Sequence, residues 1–237
     1  MTIILSTRNE AHNICNFLKS MPENIKLIVI DASDDPTPEI VSSSRPDYTE
    51  LIRHPGTVTE ARRIGADAAT TPWLLFTDAD IVFSAEYFRY ISEVEEYDLI
   101  YGPKLSSDRF RAYYKWFANG QRLLHILGVP AVSGSNCIIK KEAYDATGGF
   151  DPELTCNEDS ELAWRIKRMG YRSFFTFDLV VYAGDHRRLE RGIMKKTIHS
   201  ITRCTALYFN LLPDKWKSRD WGYWSNYNST REMRNGN

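Results

Sequence analysis

Short runs rich in Ile, Val, Leu and Thr alternate, over the first half of the chain, with stretches whose apolar positions recur at helical spacing. Residues 2–6, 27–30, 51–53, 73–77 and 99–101 read as strands, because β-branched and aromatic side chains suit a pleated, half-buried backbone. Between them, Ile14, Phe17, Leu18 and Met21 fall on one helical face, and Tyr87, Phe88, Ile91 and Val94 on another. Each stripe needs a sheet face to cover it. The alternation predicts an α/β fold with a mixed, mainly parallel central sheet and helices on both faces.

In sheets of that kind a ligand sits beyond the carboxyl ends of the strands, and here those ends are polar. Leu5 gives way to Ser6-Thr7-Arg8-Asn9-Glu10, Ile30 to Asp31, and Thr77 to Asp78 and Asp80. After residue 102 the pattern changes to an aromatic-rich helix carrying Phe110, Tyr113, Tyr114, Phe117 and Leu124 near one face. Residues 132–139 then read as a strand, 141–147 as a helix stopped by Gly148-Gly149, 158–169 as a helix stopped by Gly170, and 180–183 as a strand.

Composition narrows the picture without naming a partner. A chain of 237 residues, 43% hydrophobic, can bury one substantial core. Thirty Lys and Arg against 31 Asp and Glu leave no global field for nucleic acid, which is not expected as a partner. Cys15, Cys137, Cys156 and Cys204 are scattered, as reduced thiols of a cytoplasmic protein would be. The apolar start at Ile3-Ile4-Leu5 is too short for a signal segment, and no window approaches the roughly 18 apolar residues of a membrane span. The expectation is a cytoplasmic protein, soluble or peripheral at the inner face of the membrane.

The sharpest chemistry is Phe76-Thr77-Asp78-Ala79-Asp80, a strand ending in two carboxylates. Their hard oxygens suit Mg²⁺ or Mn²⁺ on a diphosphate, although an isolated pair of this kind more often solvates a turn. Asp31 can accept hydrogen bonds from ribose hydroxyls or base N–H groups, whereas Asp35, before Pro36, suits helix capping equally well. Asn157-Glu158-Asp159 opens a helix, so one acid can anchor at the positive end of the dipole while the other accepts a proton.

Taken in order, these motifs resemble those of a family 2 glycosyltransferase with the GT-A fold, from about residue 2 to residue 190. Ile4 to Glu10 resembles the opening strand and its PTYNE-like turn, and Ile30 to Thr37 the VDGSSDGT turn. Ala61-Arg62-Arg63-Ile64-Gly65 resembles the ARNxG helix, Asp78-Ala79-Asp80 the DxD, Gly148-Gly149-Phe150-Asp151 the GGFD, and Glu158-Asp159 the ED. Departures are Arg8 at the usual tyrosine, Arg63 at an asparagine, and Ala32 and Pro36 at glycines.

The resemblance implies inverting transfer from a nucleotide-sugar donor to the hydroxyl of a saccharide, lipid-linked or small-molecule acceptor. It implies donor contacts from Thr7, Arg8, Glu10, Asp31, Arg62 and Asp78, and a divalent metal, Mn²⁺ or Mg²⁺, at Asp80 with Asp78 assisting. It makes Asp159 the base, with Glu158 as the alternative. In the later loop Asp185-His186-Arg187-Arg188, His186 is a candidate metal ligand and either arginine a phosphate clamp. Residues 1–190 would form the catalytic domain, split at 102/103 into nucleotide-sugar and acceptor halves. Residues 191–237 would add an amphipathic helix and a tail that is disordered from residue 225.

Within that last region Ile193, Thr197, Ile201, Cys204, Tyr208 and Leu211 share a helical face, followed by Trp216, Trp221, Tyr223 and Trp224. Packing against the core or a second subunit, or contact with a membrane surface, both fit it. Two other functions remain compatible with an acidic α/β nucleotide site: a non-catalytic nucleotide-sugar-binding protein and a nucleotidyltransferase. The second lacks any glycine-rich phosphate loop after the first strand.

Overall fold

The computed structural model describes residues 1–91, 96–190 and 192–217. Val94, Trp221, Tyr223, Trp224, the tail from residue 225 and the side chain of Arg188 lie outside the described residues. In chain order the elements are β1 (Thr2–Thr7), α1 (Ile14–Lys19), β2 (Lys26–Asp31), α2 (Thr37–Ser44), β3 (Thr49–Arg53), α3 (Val58–Ala68), β4 (Trp73–Asp78), β5 (Ile81–Phe83), α4 (Tyr87–Ile91) and β6 (Leu99–Tyr101). There follow β7 (Lys104–Leu105), α5 (Arg111–Ile126), β8 (Cys137–Lys140), α6 (Lys141–Ala146), α7 (Glu158–Arg168), β9 (Ser173–Phe175), β10 (Val181–Ala183), α8 (Arg187–Glu190), α9 (Ile193–Tyr208) and α10 (Asp214–Lys217).

Seven strands form the main sheet in the order β3-β2-β1-β4-β8-β6-β9. The four N-terminal strands are mutually parallel, β8 runs antiparallel to both β4 and β6, and β9 is parallel to β6. The sheet is therefore mixed and mainly parallel. Period-two alternation sends Ile4, Ile28, Leu74, Phe76 and Ile139 into one core, where Ala66 of α3 and Leu162 and Ile166 of α7 meet them. Ile3, Leu5, Leu27, Val29 and Leu75 enter the opposite core, against Phe17 of α1, Val41 of α2 and Tyr87 of α4. Both faces are thus covered, and the apolar runs are buried on both sides as parallel strands require.

A second sheet, β5-β10-β7, stands at the carboxyl end of the first. Its strands have two or three residues each, and of the three only β10 is indicated by the sequence pattern. The segment expected as a strand from residue 132 becomes one only at Cys137, because Asn136 N–H turns back to the Ser133 carbonyl at 2.9 Å. Asn157 precedes α7 in the left-handed region and makes no side-chain cap, contrary to the capping its sequence position offers; its Nδ2 reaches Cys204 Sγ at 3.1 Å instead.

Candidate active site

Arg62 is the centre of the site, and the local sequence explains how it gets there. Thr57 and Glu60 form a reciprocal capping box that fixes the start of α3. Gly65 then lets the helix lie directly on β1, since a Cβ there would sit 2.4 Å from Ile4 Cγ2. This close approach carries Arg62, 4% exposed, beneath the end of β4. Its Nη2 donates to Asp78 Oδ1 at 3.0 Å and its Nη1 to Glu158 Oε1. Burial alone would lower the proton affinity of the guanidinium, yet Glu158, Asp78 and Asp159 together hold it well above its ordinary range.

The loop between α5 and β8 fixes the acids around that cation. Gly134 N–H donates to Asp159 Oδ2 at 2.6 Å, Ser135 Oγ to Asp78 Oδ2 at 2.5 Å, and Thr77 Oγ1 to the Ser135 carbonyl at 3.0 Å. A Cβ at Gly134 would lie 2.3 Å from Arg62 Nη2, so any other residue there would displace the guanidinium. Ser160 N–H donates to the other Asp159 oxygen at 2.7 Å. Asp159 stays partly exposed, while Glu158 is buried against Arg62. Burial raises the affinity of both carboxylates for a proton, and repulsion adds to it, from Asp159 and Asp78 on Glu158 and from Asp78 on Asp159; Arg62 opposes the shift without cancelling it.

Asp80 opens a second cluster on the rim. Its Oδ1 accepts from Lys104 Nζ at 3.1 Å, and its carbonyl from Gly184 N–H at 2.7 Å. The small sheet makes this meeting, because β10 pairs Val181 with Lys104 and Ala183 with Ile81. Asp185, just past β10, pairs with Arg187, whose Nη2 also donates to Glu10 Oε1 at 2.9 Å. Burial, with Asp80 nearby, raises the Glu10 carboxyl above its ordinary range despite bonds from Asn13 and Arg187. His186 is buried, with Nε2 2.9 Å from Asp108 Oδ1 and Nδ1 3.2 Å from Tyr114 OH. Both ring nitrogens are therefore engaged, and metal ligation would have to release one of them.

Among the described residues no group of three or more His, Cys, Asp or Glu side chains is close enough to cage a metal ion. The hard carboxylate oxygens of Asp80, a quarter exposed and bonded to Lys104, are nonetheless of the kind that Mg²⁺ or Mn²⁺ takes. Such ions commonly take one or two carboxylates and fill their remaining positions with phosphate and water.

Asp31 lies at the third strand end, 1% exposed, and its oxygens are well used. Oδ1 accepts from Thr7 Oγ1 at 2.7 Å and Ser33 Oγ at 2.6 Å; Oδ2 accepts from Ser33 N–H at 3.1 Å and from Arg53. Asp35 spends its carboxylate on the N–H groups of Thr37 and Ala11, at 3.0 and 3.1 Å, and these bonds hold it below the usual range although partial burial works the other way. Ser33, Asp35 and Arg53 line a surface cleft of about 320 Å³ beside this strand end. Arg8 is half-buried in the adjoining turn. The strand-end acids named from sequence thus converge, while Gly134, Ser135, Lys104 and Arg53 carry contacts that no local pattern announced.

Residues 2–147 match the family described as Glycosyl transferase family 2. The pre-mycofactocin glycosyltransferase of Mycobacterium tuberculosis is 23% identical over 215 residues, covering 84% of this chain and 46% of that protein. The chain thus spans about half the length of the curated relatives it matches. Among solved structures, the mannosyltransferase PcManGT from Pyrobaculum calidifontis, in complex with GDP-Man and Mn²⁺, superposes with a TM-score of 0.64 at 23% identity, over 79% of this chain and 57% of that one. S. aureus TarS 1-349 in complex with UDP-GlcNAc gives a TM-score of 0.64 at 18% identity, over 78% and 58%. These likenesses establish a shared fold.

Proposed function

Because the chain belongs to glycosyl transferase family 2, we propose that it moves a sugar from a nucleotide-diphosphate sugar to an acceptor hydroxyl, with inversion and with a divalent metal. The observation that carries this reading is the convergence on Arg62 of Asp78, Glu158 and Asp159, beside the rim that holds Asp80. Residues 1–190 act as the catalytic domain. Asp31, Thr7, Arg8, Glu10, Arg62 and Asp78 form the donor side, and the segment from residue 103 the acceptor side.

In a single displacement the acceptor oxygen attacks the anomeric carbon, the bond from that carbon to phosphate breaks, and the nucleoside diphosphate leaves. Asp159 takes the hydroxyl proton. Two backbone N–H groups fix its orientation while each oxygen keeps a lone pair, and its raised proton affinity makes it a better base than a solvated carboxylate. Glu158 pairs with Arg62 and so keeps the guanidinium protonated and fixed in place. Asp80 would hold the metal, with Asp78 assisting through ribose or water; when bound, the ion would supply positive charge to the departing diphosphate. Mn²⁺ beside GDP-Man in the mannosyltransferase supports that choice. The protein works in the cytoplasm, soluble or peripheral at the inner face of a membrane.

A panel of UDP-, GDP- and other nucleotide sugars, screened for Mn²⁺-dependent thermal stabilisation and slow hydrolysis, tests the reading. At least one donor should stabilise the protein only with metal present. Asp80→Ala should abolish the metal-dependent part of that shift and of donor turnover. Metal-dependent turnover by the Asp80 variant would remove it as the ligand.

A further inference from the structure

Among the described residues, nothing covers the exposed apolar side chains and cations that helices α5 and α9 carry. Trp116 of α5 is 55% exposed, and Ile198 and Ile201, one turn apart on α9, are 57% and 54% exposed. Leu123 and Ile126 of α5 and Met194 of α9 are exposed as well. Lys115 and Arg122 stand exposed on α5, and Lys195 on α9. Not one of residues 109–141 or 191–213 is acidic, in a chain whose 31 acids otherwise match its 30 Lys and Arg.

The two helices meet at Tyr113 of α5 and Lys196 of α9. Lys196 Nζ lies 3.3 Å from Tyr113 OH and 5.1 Å from the centre of that ring, and the Tyr113 ring in turn lies 6.4 Å from Phe117 and 6.0 Å from Trp116. The surface also abuts the catalytic rim, because Phe110 and Tyr114 at the start of α5 pack on His186, next to Asp185.

Charge decides what this face fits. A second copy would set the same acid-free cations against each other in a two-fold contact. An anionic bilayer instead attracts each cation, accepts lysine and arginine stems that reach for headgroups, and holds tryptophan at its interface. We propose that the α5–α9 face docks on an anionic phospholipid bilayer, so that the acceptor reaching Asp159 is membrane-borne. The docking stands by itself; the acceptor's class rests on the transfer reading above.

Flotation of the full chain with vesicles tests it. The protein should float with phosphatidylcholine vesicles containing phosphatidylglycerol, should stay behind with phosphatidylcholine alone, and should be released by salt. Ile198→Glu with Ile201→Glu, and separately Trp116→Glu, should weaken binding at least about fivefold for each unfavourable charge brought to the surface. Their circular dichroism and their Mn²⁺-dependent donor stabilisation should not change. Equal flotation on neutral vesicles, no flotation at all, or wild-type flotation by the Glu variants overturns the proposal. So does a solution dimer that the same substitutions dissociate. Donor stabilisation, read in the same preparations, reports separately on the transfer reading.

Discussion

Asp159→Asn should lower kcat for transfer by about 10²–10⁴-fold, the span that a general base contributes, while donor affinity stays nearly unchanged. The amide cannot take a proton, yet it matches the carboxylate in shape. Arg62 keeps its contacts with Asp78 and Glu158, so the donor side retains its charge and position. Some local cost is expected, because Gly134 N–H and Ser160 N–H each bond a different Asp159 oxygen and an amide can accept from only one of them.

The pH profile separates the roles of the two acids. Burial raises the proton affinity of Asp159, so the acidic limb of kcat/KM should lie above the ordinary carboxylate range, with activity rising as the base deprotonates. That limb should disappear in the Asn variant. Glu158→Gln should disturb folding and donor binding more than the limb itself, since Glu158 is buried against Arg62. A lost limb in Glu158→Gln with transfer preserved in Asp159→Asn would exchange the two roles.

How much of this site the sequence discloses follows from the range of the interactions. Asp31, Asp78 and Asp80 were legible because each follows an apolar run whose end a parallel sheet turns toward its ligand. Lys104 and Asp185 join Asp80 only through strands of two or three residues, paired across more than seventy positions of sequence. The Ser133 to Asn136 turn reads as strand because Val132 and Cys137-Ile138-Ile139 flank it, and its polar side chains make sense only once Asp78 and Asp159 stand opposite. Arg62 is visible in sequence solely as part of a motif, since its burial depends on Gly65 and Gly134, far apart in the chain. His186 shows the converse: a residue type that attracts a metal assignment is already held at both nitrogens by Asp108 and Tyr114.

Arg62→Met should destabilise the fold by about 3–5 kcal/mol, the usual consequence of removing one partner from a buried ion pair. Methionine fills much of the space, so the loss is electrostatic: Glu158 is left buried with its neighbours Asp78 and Asp159 also acidic. The deficit should depend on pH in a defined direction. Carboxyls whose proton affinity is raised in the folded state contribute stability below their unfolded pKa and lose it as pH rises through the folded value. Glu158 and Asp159 are already raised with Arg62 present, and without its charge they rise further. The gap between variant and wild type should therefore be widest at alkaline pH and narrow on acidification, as the orphaned acids take up protons. Urea unfolding of both proteins across that range measures it. A gap independent of pH would mean that Arg62 acts by packing on Phe150 and Gly134 and not by balancing the acids, and the hub would then hold the loop in place without setting the proton affinity of the base.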